Sequence, residues 1–157
     1  MILTWDQYFM GLAHLSKLRS KDPSTQVGAV IVNPKKRVVG IGYNGLPTGC
    51  DDQIFPWGRD GDFQSSKYAY VVHAELNAIL NSTVKLDDCS LYVSLFPCNE
   101  CAKAIIQSGI KEVVYEDDKY AKTDAVKVSK KMLEAAGVQY RKLDYQTEVS
   151  VTIKENA

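Results

Sequence analysis

The first part of the chain has hydrophobic residues at every third or fourth position, which is the spacing of one face of an α-helix. The residues with this spacing are Trp5, Phe9, Leu12 and Leu15. Thr4 and Gln7 match a capping box, in which each side chain bonds a backbone N–H group that the first turn leaves free. We therefore predict a helix from Trp5 to about residue 19, ended by Asp22-Pro23.

Two runs of β-branched residues follow, at residues 26–32 and 38–43. The turn residues Asn33-Pro34 separate them, so we predict an antiparallel hairpin. The next connection, residues 44–66, is rich in glycine, proline and aspartate. Connections of this length in compact domains are usually functional or disordered.

Helix-like and strand-like segments alternate beyond residue 72. The expected helices are residues 73–81, 98–108 and 124–136, and the expected strands are residues 91–95, 112–115 and 140–143, with 148–153 as a further candidate. This order predicts an α/β fold of three layers around a mixed sheet of about five strands. We expect one domain over residues 1–157, with a core at about 4–143 and a tail at 144–157.

The composition limits the class of partner. A chain of 157 residues, 45% hydrophobic and 24% charged, has the size and composition of one globular domain. Nineteen basic residues balance nineteen acidic residues, which disfavours a long nucleic acid as partner. No run of about 20 apolar residues is present, and the first residues lack the basic region of a signal peptide. We therefore expect a cytoplasmic protein without a membrane partner.

The sharpest chemical signal is His73-Ala74-Glu75 followed by Pro97-Cys98-Asn99-Glu100-Cys101. Two cysteines three positions apart at a helix start have their sulfurs on one face. The partial positive charge of the helix start favours the thiolates that zinc requires. With His73 as third ligand, one tetrahedral position is left for water, as in catalytic zinc sites. This H-x-E and P-C-x-x-C pair is the signature of zinc nucleobase deaminases.

Glu75 can act on that water only under one geometric condition. Two residues on a regular helix lie roughly 200° apart around its axis, so His73 and Glu75 do not share a face. Both must lie in the first turn and meet beyond the helix end. Glu75 would then take a proton from the attacking water and pass it to the ring nitrogen of a pyrimidine.

Each part of the pattern also occurs without a catalytic metal. A Cys-x-x-Cys pair after a strand is typical of redox proteins, and a first-turn glutamate often only stabilises the helix dipole. A structural zinc site needs a fourth ligand, but His14 fits core packing and Cys50 and Cys89 have no evident partner ligands. The combination favours a catalytic site. A structural zinc in a nucleotide-binding module stays an alternative.

Several further motifs make the chain resemble the deoxycytidylate (dCMP) deaminases of the cytidine deaminase superfamily. The resemblance spans roughly residues 10–142. It includes Asp22-Pro23-Ser24-Thr25-Gln26-Val27-Gly28-Ala29, Gly40-Ile41-Gly42-Tyr43-Asn44-Gly45, His73-Ala74-Glu75-Leu76-Asn77-Ala78-Ile79, Pro97-Cys98-Asn99-Glu100-Cys101 and Asp118-Lys119-Tyr120. It implies the three-layer α/β/α fold of that superfamily.

The resemblance also implies an activity. His73, Cys98 and Cys101 would hold one zinc ion per chain, and Glu75 would shuttle protons. Water would attack C4 of dCMP to give dUMP and ammonia, which supplies thymidylate synthesis. The alternative keeps this chemistry on another cytosine or adenine substrate, such as free cytidine or a tRNA adenosine.

Four residues are candidates for substrate contacts by the same resemblance. Asn44 matches a sugar-contacting asparagine, although Asn-Gly is also a strong turn dipeptide. Tyr120 is a candidate for the sugar–phosphate side, with packing as the alternative. Backbone groups near Ala74 and side chains near Gln26 are candidates for contacts with the base.

Regulation is the last implication of the resemblance. Many members are homohexamers activated by dCTP and inhibited by dTTP, with Mg²⁺ on the triphosphate. In the 44–66 connection, Gly45 and Gly49 would let backbone N–H groups approach phosphates. Trp57 would stack on a base, and Arg59 would bind phosphate. The alternative is a solvated loop that happens to be rich in glycine.

Overall fold

A computed structural model describes all residues, 1–157. The helices are α1 (Trp5–Lys17), α2 (Ala74–Asn81), α3 (Asn99–Gln107) and α4 (Asp124–Ala135). The strands are β1 (Gly28–Val32), β2 (Val38–Tyr43), β3 (Ser90–Leu95), β4 (Glu112–Asp117) and β5 (Gln139–Lys142). Two short 3₁₀ turns, Phe63–Ser65 and Lys67–Ala69, lie in the connection between β2 and α2. None of the helices has the length and apolar character needed to cross a membrane.

The five strands form one mixed sheet in the order β2-β1-β3-β4-β5. β1 pairs antiparallel with both β2 and β3, which confirms the predicted hairpin. β3, β4 and β5 are parallel, with α3 and α4 as their connections. The ends of β3 and β4 therefore lie at the same edge of the sheet, and α3 begins at that edge.

The sheet separates two hydrophobic cores. α1 packs on one face through residues such as Phe9 and Met10, whereas α2, α3 and α4 pack on the other face. Neighbouring residues of β1 alternate between the two cores, since Val30 contributes to the α1 side and Ile31 to the other. The three-layer α/β/α fold and its five-stranded sheet are thus confirmed.

The contact between β2 and α2 depends on a glycine. A Cβ at Gly42 would lie 2.4 Å from the backbone nitrogen of Ala78 and 2.5 Å from the carbonyl oxygen of Ala74. α2 therefore lies directly against the strand backbone, where the Asn77 side chain donates to the Tyr43 carbonyl at 2.8 Å. This contact fixes the position of the first turn of α2.

The tail differs from the prediction. The structure has no strand at residues 148–153, so that expectation is wrong. The Thr147 N–H group donates to the buried carboxylate of Glu116 at 3.0 Å, and His14 Nε2 lies 3.1 Å from the same oxygen. The tail is thus bonded to a side chain under α1 and does not pair with a strand of the sheet. His14 is buried in the core, as expected.

Candidate active site

Three side chains with metal-ligating atoms meet between the starts of α2 and α3. His73 Nδ1 lies 3.4 Å from Cys98 Sγ and 3.3 Å from Cys101 Sγ. All three ligand atoms lie within 4.8 Å of one another. Zinc–sulfur and zinc–nitrogen bond lengths at tetrahedral angles place nitrogen and sulfur ~3.5 Å apart. The three side chains therefore fit a zinc ion and leave its fourth position open.

Helix capping explains why these side chains are free to meet. His73 and Cys98 are the N-cap residues of α2 and α3, and neither side chain makes a capping hydrogen bond. An N-cap side chain usually bonds the backbone of its own helix. Here both instead converge on one point, and Cys101 joins them from the first turn of α3.

The N-cap position also meets the geometric condition on Glu75. His73 has extended backbone angles (φ −68°, ψ 156°), so the spacing of a regular helix does not separate it from Glu75. Glu75 is the second residue of α2, is only 4% exposed and lies on the same cavity as His73. Burial raises the pKa of Glu75, whereas the nearby His73 favours the charged form. A carboxyl group shifted in this direction takes up a proton more readily than an exposed glutamate, as a proton shuttle requires.

Hydrogen bonds among the three ligand side chains shift the pKa of each of them. A hydrogen bond from Cys101 lowers the pKa of Cys98 to about 4 and raises the pKa of Cys101. A hydrogen bond with Cys98 raises the pKa of His73 to about 9, against the effect of burial. The group therefore already stabilises one thiolate. Zinc needs both thiolates and a neutral imidazole, so its binding would release protons.

A cavity of about 450 Å³ opens beside this group. Its walls come from the connection between α1 and β1, the connection between β2 and α2, and the segment that precedes α4. Besides Glu75, His73 and Cys98, the residues that line the cavity include Asp22, Thr25, Asn44, Arg59, Lys67, Tyr68, Ala74 and Tyr120. The volume lies within the range of sites for small ligands.

Three of the four predicted substrate contacts lie on this cavity. Asn44 is buried, and its side-chain oxygen accepts from the Val27 N–H group at 2.8 Å. Ala74 is fully buried at the start of α2, and Tyr120 is partly exposed at the cavity wall. Gln26 is not on the wall, since its amide donates to the Ser20 carbonyl at 2.8 Å. Its neighbours in the chain line the cavity instead.

The four predicted effector residues do not come together. Gly45 and Trp57 line a second cavity of about 190 Å³, on the other side of Asn44. Arg59 lines the first cavity, where its Nε donates to the Tyr68 hydroxyl at 3.1 Å. Gly49 lines neither of these two cavities and has a left-handed φ of 91°.

Sequence reasoning missed two charged residues of the first cavity. Asp22 appeared as the end of a helix and as part of a motif but was assigned no role, and Lys67 lies beyond the motifs in an irregular connection. The structure buries both side chains and pairs them at 2.7 Å. The bonds that Asp22 accepts from the Ser24 and Thr25 N–H groups have a sequence signal, the Asp-Pro-Ser-Thr turn. No sequence signal identifies Lys67 as the ion-pair partner of Asp22.

The chain is similar to known deaminases along most of its length. Residues 3–117 match the family described as the cytidine and deoxycytidylate deaminase zinc-binding region. The deoxycytidylate deaminase of Homo sapiens is 54% identical over 142 residues, which cover 89% of this chain and 80% of that protein. The probable deoxycytidylate deaminase of Drosophila melanogaster is 53% identical over 147 residues, which cover 89% of this chain and 72% of that protein.

Solved structures agree with these relatives. The dCMP deaminase from the cyanophage S-TIM5, in complex with dCMP and dUMP, superimposes with a TM-score of 0.72 at 29% identity. The match covers 91% of this chain and 99% of that one. The family match, the identity to its relatives and the shared fold lead to one conclusion: the chain belongs to the cytidine and deoxycytidylate deaminase family.

Proposed function

We propose that this enzyme hydrolyses dCMP to dUMP and ammonia with one zinc ion per chain. The observation that carries the proposal is a single cavity lined by Glu75, by Arg59 and by His73 and Cys98, two members of the His73, Cys98 and Cys101 group. Such a cavity offers hydrolytic chemistry for a base and a cation for a phosphate. The relatives named deoxycytidylate deaminase and the structure that holds dCMP and dUMP support it.

The proposed chemistry assigns Glu75 two proton transfers. Zinc, when bound, lowers the pKa of a water molecule towards about 7. Glu75 takes one proton from the attacking water while the water oxygen bonds to C4 of cytosine. Glu75 then delivers that proton to the ring nitrogen N3. The second proton passes to the amino group, the C4–N bond breaks, and ammonia leaves. The product has a carbonyl at C4 and a proton on N3, which is uracil.

The 5′-phosphate has a candidate site away from the metal ligands. Arg59 is exposed and bonds Tyr68, so its guanidinium is held at the cavity while donors stay free for a ligand. Lys119 Nζ lies 5.2 Å from the centre of the Tyr120 ring and 3.3 Å from the Thr25 hydroxyl. We assign the phosphate to these cations, with Tyr120 and Asn44 on the sugar side and Ala74 near the base.

Replacing Arg59 with alanine should raise KM for dCMP by about tenfold or more, because a hydrogen-bonded charge pair with the phosphate is lost. Activity on deoxycytidine, which has no phosphate, should stay at its wild-type level. Steady-state kinetics on both substrates measure the difference. Arg37→Ala, at the exposed turn between β1 and β2, is the matched control. An equal loss on both substrates would show that Arg59 does not bind the phosphate.

A substrate panel tests the assignment of dCMP itself. The purified protein is offered dCMP, free cytidine and tRNA at equal concentrations of reactive base. We expect dCMP to be the best substrate by kcat/KM. Deamination of tRNA with dCMP left unchanged would favour the alternative substrate class. No deamination of any of them by folded, zinc-loaded protein would favour a nucleotide-binding module.

We also propose regulation by dCTP as activator and dTTP as inhibitor in a homo-oligomer, with a hexamer as the expected form. The second cavity supports this role for the connection between β2 and α2. It joins Trp57 to the cations Arg19 and Lys21, which suits a base and a triphosphate. Asp52 adds a carboxylate that can bind Mg²⁺ on the triphosphate. Gly45 lies on its wall, whereas Gly49 and Arg59 have no place in this effector site.

The rate should depend sigmoidally on dCMP concentration, and dCTP with Mg²⁺ should make the curve hyperbolic, because an activator shifts the subunits to one conformation. We expect dTTP to increase the sigmoidal character. Initial rates over a range of dCMP concentrations, with each nucleotide in turn, provide the measurement. Curves that do not change with either nucleotide would remove the effector role.

A further inference from the structure

A buried ion pair joins two of the cavity walls. Lys67 Nζ lies 2.7 Å from Asp22 Oδ2, and the two side chains are only 10% and 2% exposed. Asp22 belongs to the connection between α1 and β1, and Lys67 to the connection between β2 and α2. The pair thus links the two irregular segments directly, through side chains 45 residues apart in the sequence.

The Asp22 carboxylate bonds four donors. Its Oδ1 accepts from the backbone N–H groups of Ser24 at 2.8 Å and Thr25 at 3.2 Å. Its Oδ2 accepts from Lys67 and from Asn44 Nδ2, the latter at 3.3 Å. Burial disfavours the charged carboxylate, but Lys67 and the two N–H groups outweigh it and lower the pKa of Asp22. Asp22 is therefore an ionised acceptor at neutral pH.

Asn44 is held through this carboxylate. Its amide nitrogen also donates to the Thr25 carbonyl at 2.9 Å, and its oxygen accepts from Val27. These bonds select one orientation of the Asn44 amide on the cavity wall. Removing Asp22 or its charge would leave one of the two amide N–H bonds unmade.

Stability alone does not account for a charged pair at this place. Two buried charges lose their hydration, and an apolar pair of similar volume is often at least as stable.

The Lys67 backbone also accepts from Tyr70 and Val71 and donates to Gly58. Lys67 therefore ties the segment that carries Arg59 and Tyr68 to the carboxylate that holds Asn44.

We infer that Lys67 and Asp22 are a positioning pair for the nucleotide: Lys67 holds Asp22, and Asp22 orients Asn44 towards the sugar. The inference rests on the proposed function, in which Asn44 contacts the sugar. Neither member of the pair is assigned a contact with the reacting atoms. Their loss should therefore change KM for the nucleotide and leave kcat close to wild type.

Two variants separate positioning from a merely structural role. Lys67→Met should raise KM for dCMP about tenfold, the effect of losing a hydrogen bond to a charged group. It should also lower Tm, because Asp22 is left buried without its partner. The double variant Asp22→Asn/Lys67→Met removes both charges and should recover Tm. Its KM should stay high, since an amide has one acceptor oxygen where the carboxylate has two.

Arg141→Met is the control, because it breaks an ion pair of 2.8 Å with Asp6 that does not line the cavity. Its KM should equal that of wild type. A wild-type KM in folded, zinc-loaded Lys67→Met would overturn this inference but not the proposed function. A KM that recovers together with Tm in the double variant would do the same. A wild-type protein that leaves dCMP unchanged would overturn the proposed function.

Discussion

Replacing Glu75 with glutamine should lower kcat for dCMP by about 10²- to 10⁴-fold, the usual contribution of a general acid–base group. Glutamine has nearly the same shape as glutamate, so the tightly packed start of α2 can accept it. Its amide cannot take a proton from water or deliver one to N3. Zinc content and Tm should stay near wild type, because Glu75 is not one of the three ligand side chains. Rates, metal analysis and thermal unfolding provide the three readouts.

Glu100 offers a matched control for this prediction. It is the second residue of α3, as Glu75 is the second residue of α2, but its side chain is 72% exposed and pairs with Lys103 at 2.9 Å. Glu100→Gln should therefore keep full activity. Near-normal turnover by folded, zinc-loaded Glu75→Gln would refute the proton transfers. A loss of zinc in that variant would instead show that Glu75 is a ligand.

Replacing Cys101 with serine should remove most of the zinc and nearly all activity. Cys101 is buried at the first turn of α3, 3.3 Å from His73, and a serine hydroxyl does not ionise to supply the anionic ligand that zinc needs. Losing an outer-shell partner already costs about 10- to 100-fold in metal affinity, so losing a ligand should exceed that. Zinc analysis after dialysis and a competition titration with a chelator measure the loss.

Cys89→Ala is the control for the cysteine prediction. Cys89 is also buried, but it is not part of the ligand group. The variant should keep one zinc ion per chain, although the smaller side chain lowers Tm. If Cys101→Ser kept its full zinc content with wild-type affinity, the metal would have to be bound elsewhere in the chain.

Local patterns in the sequence were sufficient to predict much of the fold. The capping box is present, with Thr4 and Gln7 making both reciprocal bonds at 2.9 and 3.1 Å. Such contacts join residues three positions apart and do not depend on the rest of the fold. The His-x-Glu and Cys-x-x-Cys spacings lie at two successive helix starts, which explains why the structure brings those side chains together.

Contacts between distant irregular segments could not be predicted in this way. Lys67 and Asp22 have no periodic pattern, and their pairing depends on how two connections pack. Trp57 and Arg59 are two residues apart in an irregular connection, yet they line different cavities. Residues 148–153 have alternating hydrophobic positions but no strand beside them to supply hydrogen bonds.

We propose that one zinc ion held by His73, Cys98 and Cys101 drives hydrolysis of dCMP. The most direct test strips the protein of metal, returns zinc in steps, and follows dCMP, dUMP and ammonia together. We predict a rate that rises in proportion to bound zinc and stops rising at one ion per chain, with one dUMP and one ammonia formed for each dCMP. Folded protein with one zinc ion per chain that leaves dCMP unchanged would show that this site does not deaminate dCMP.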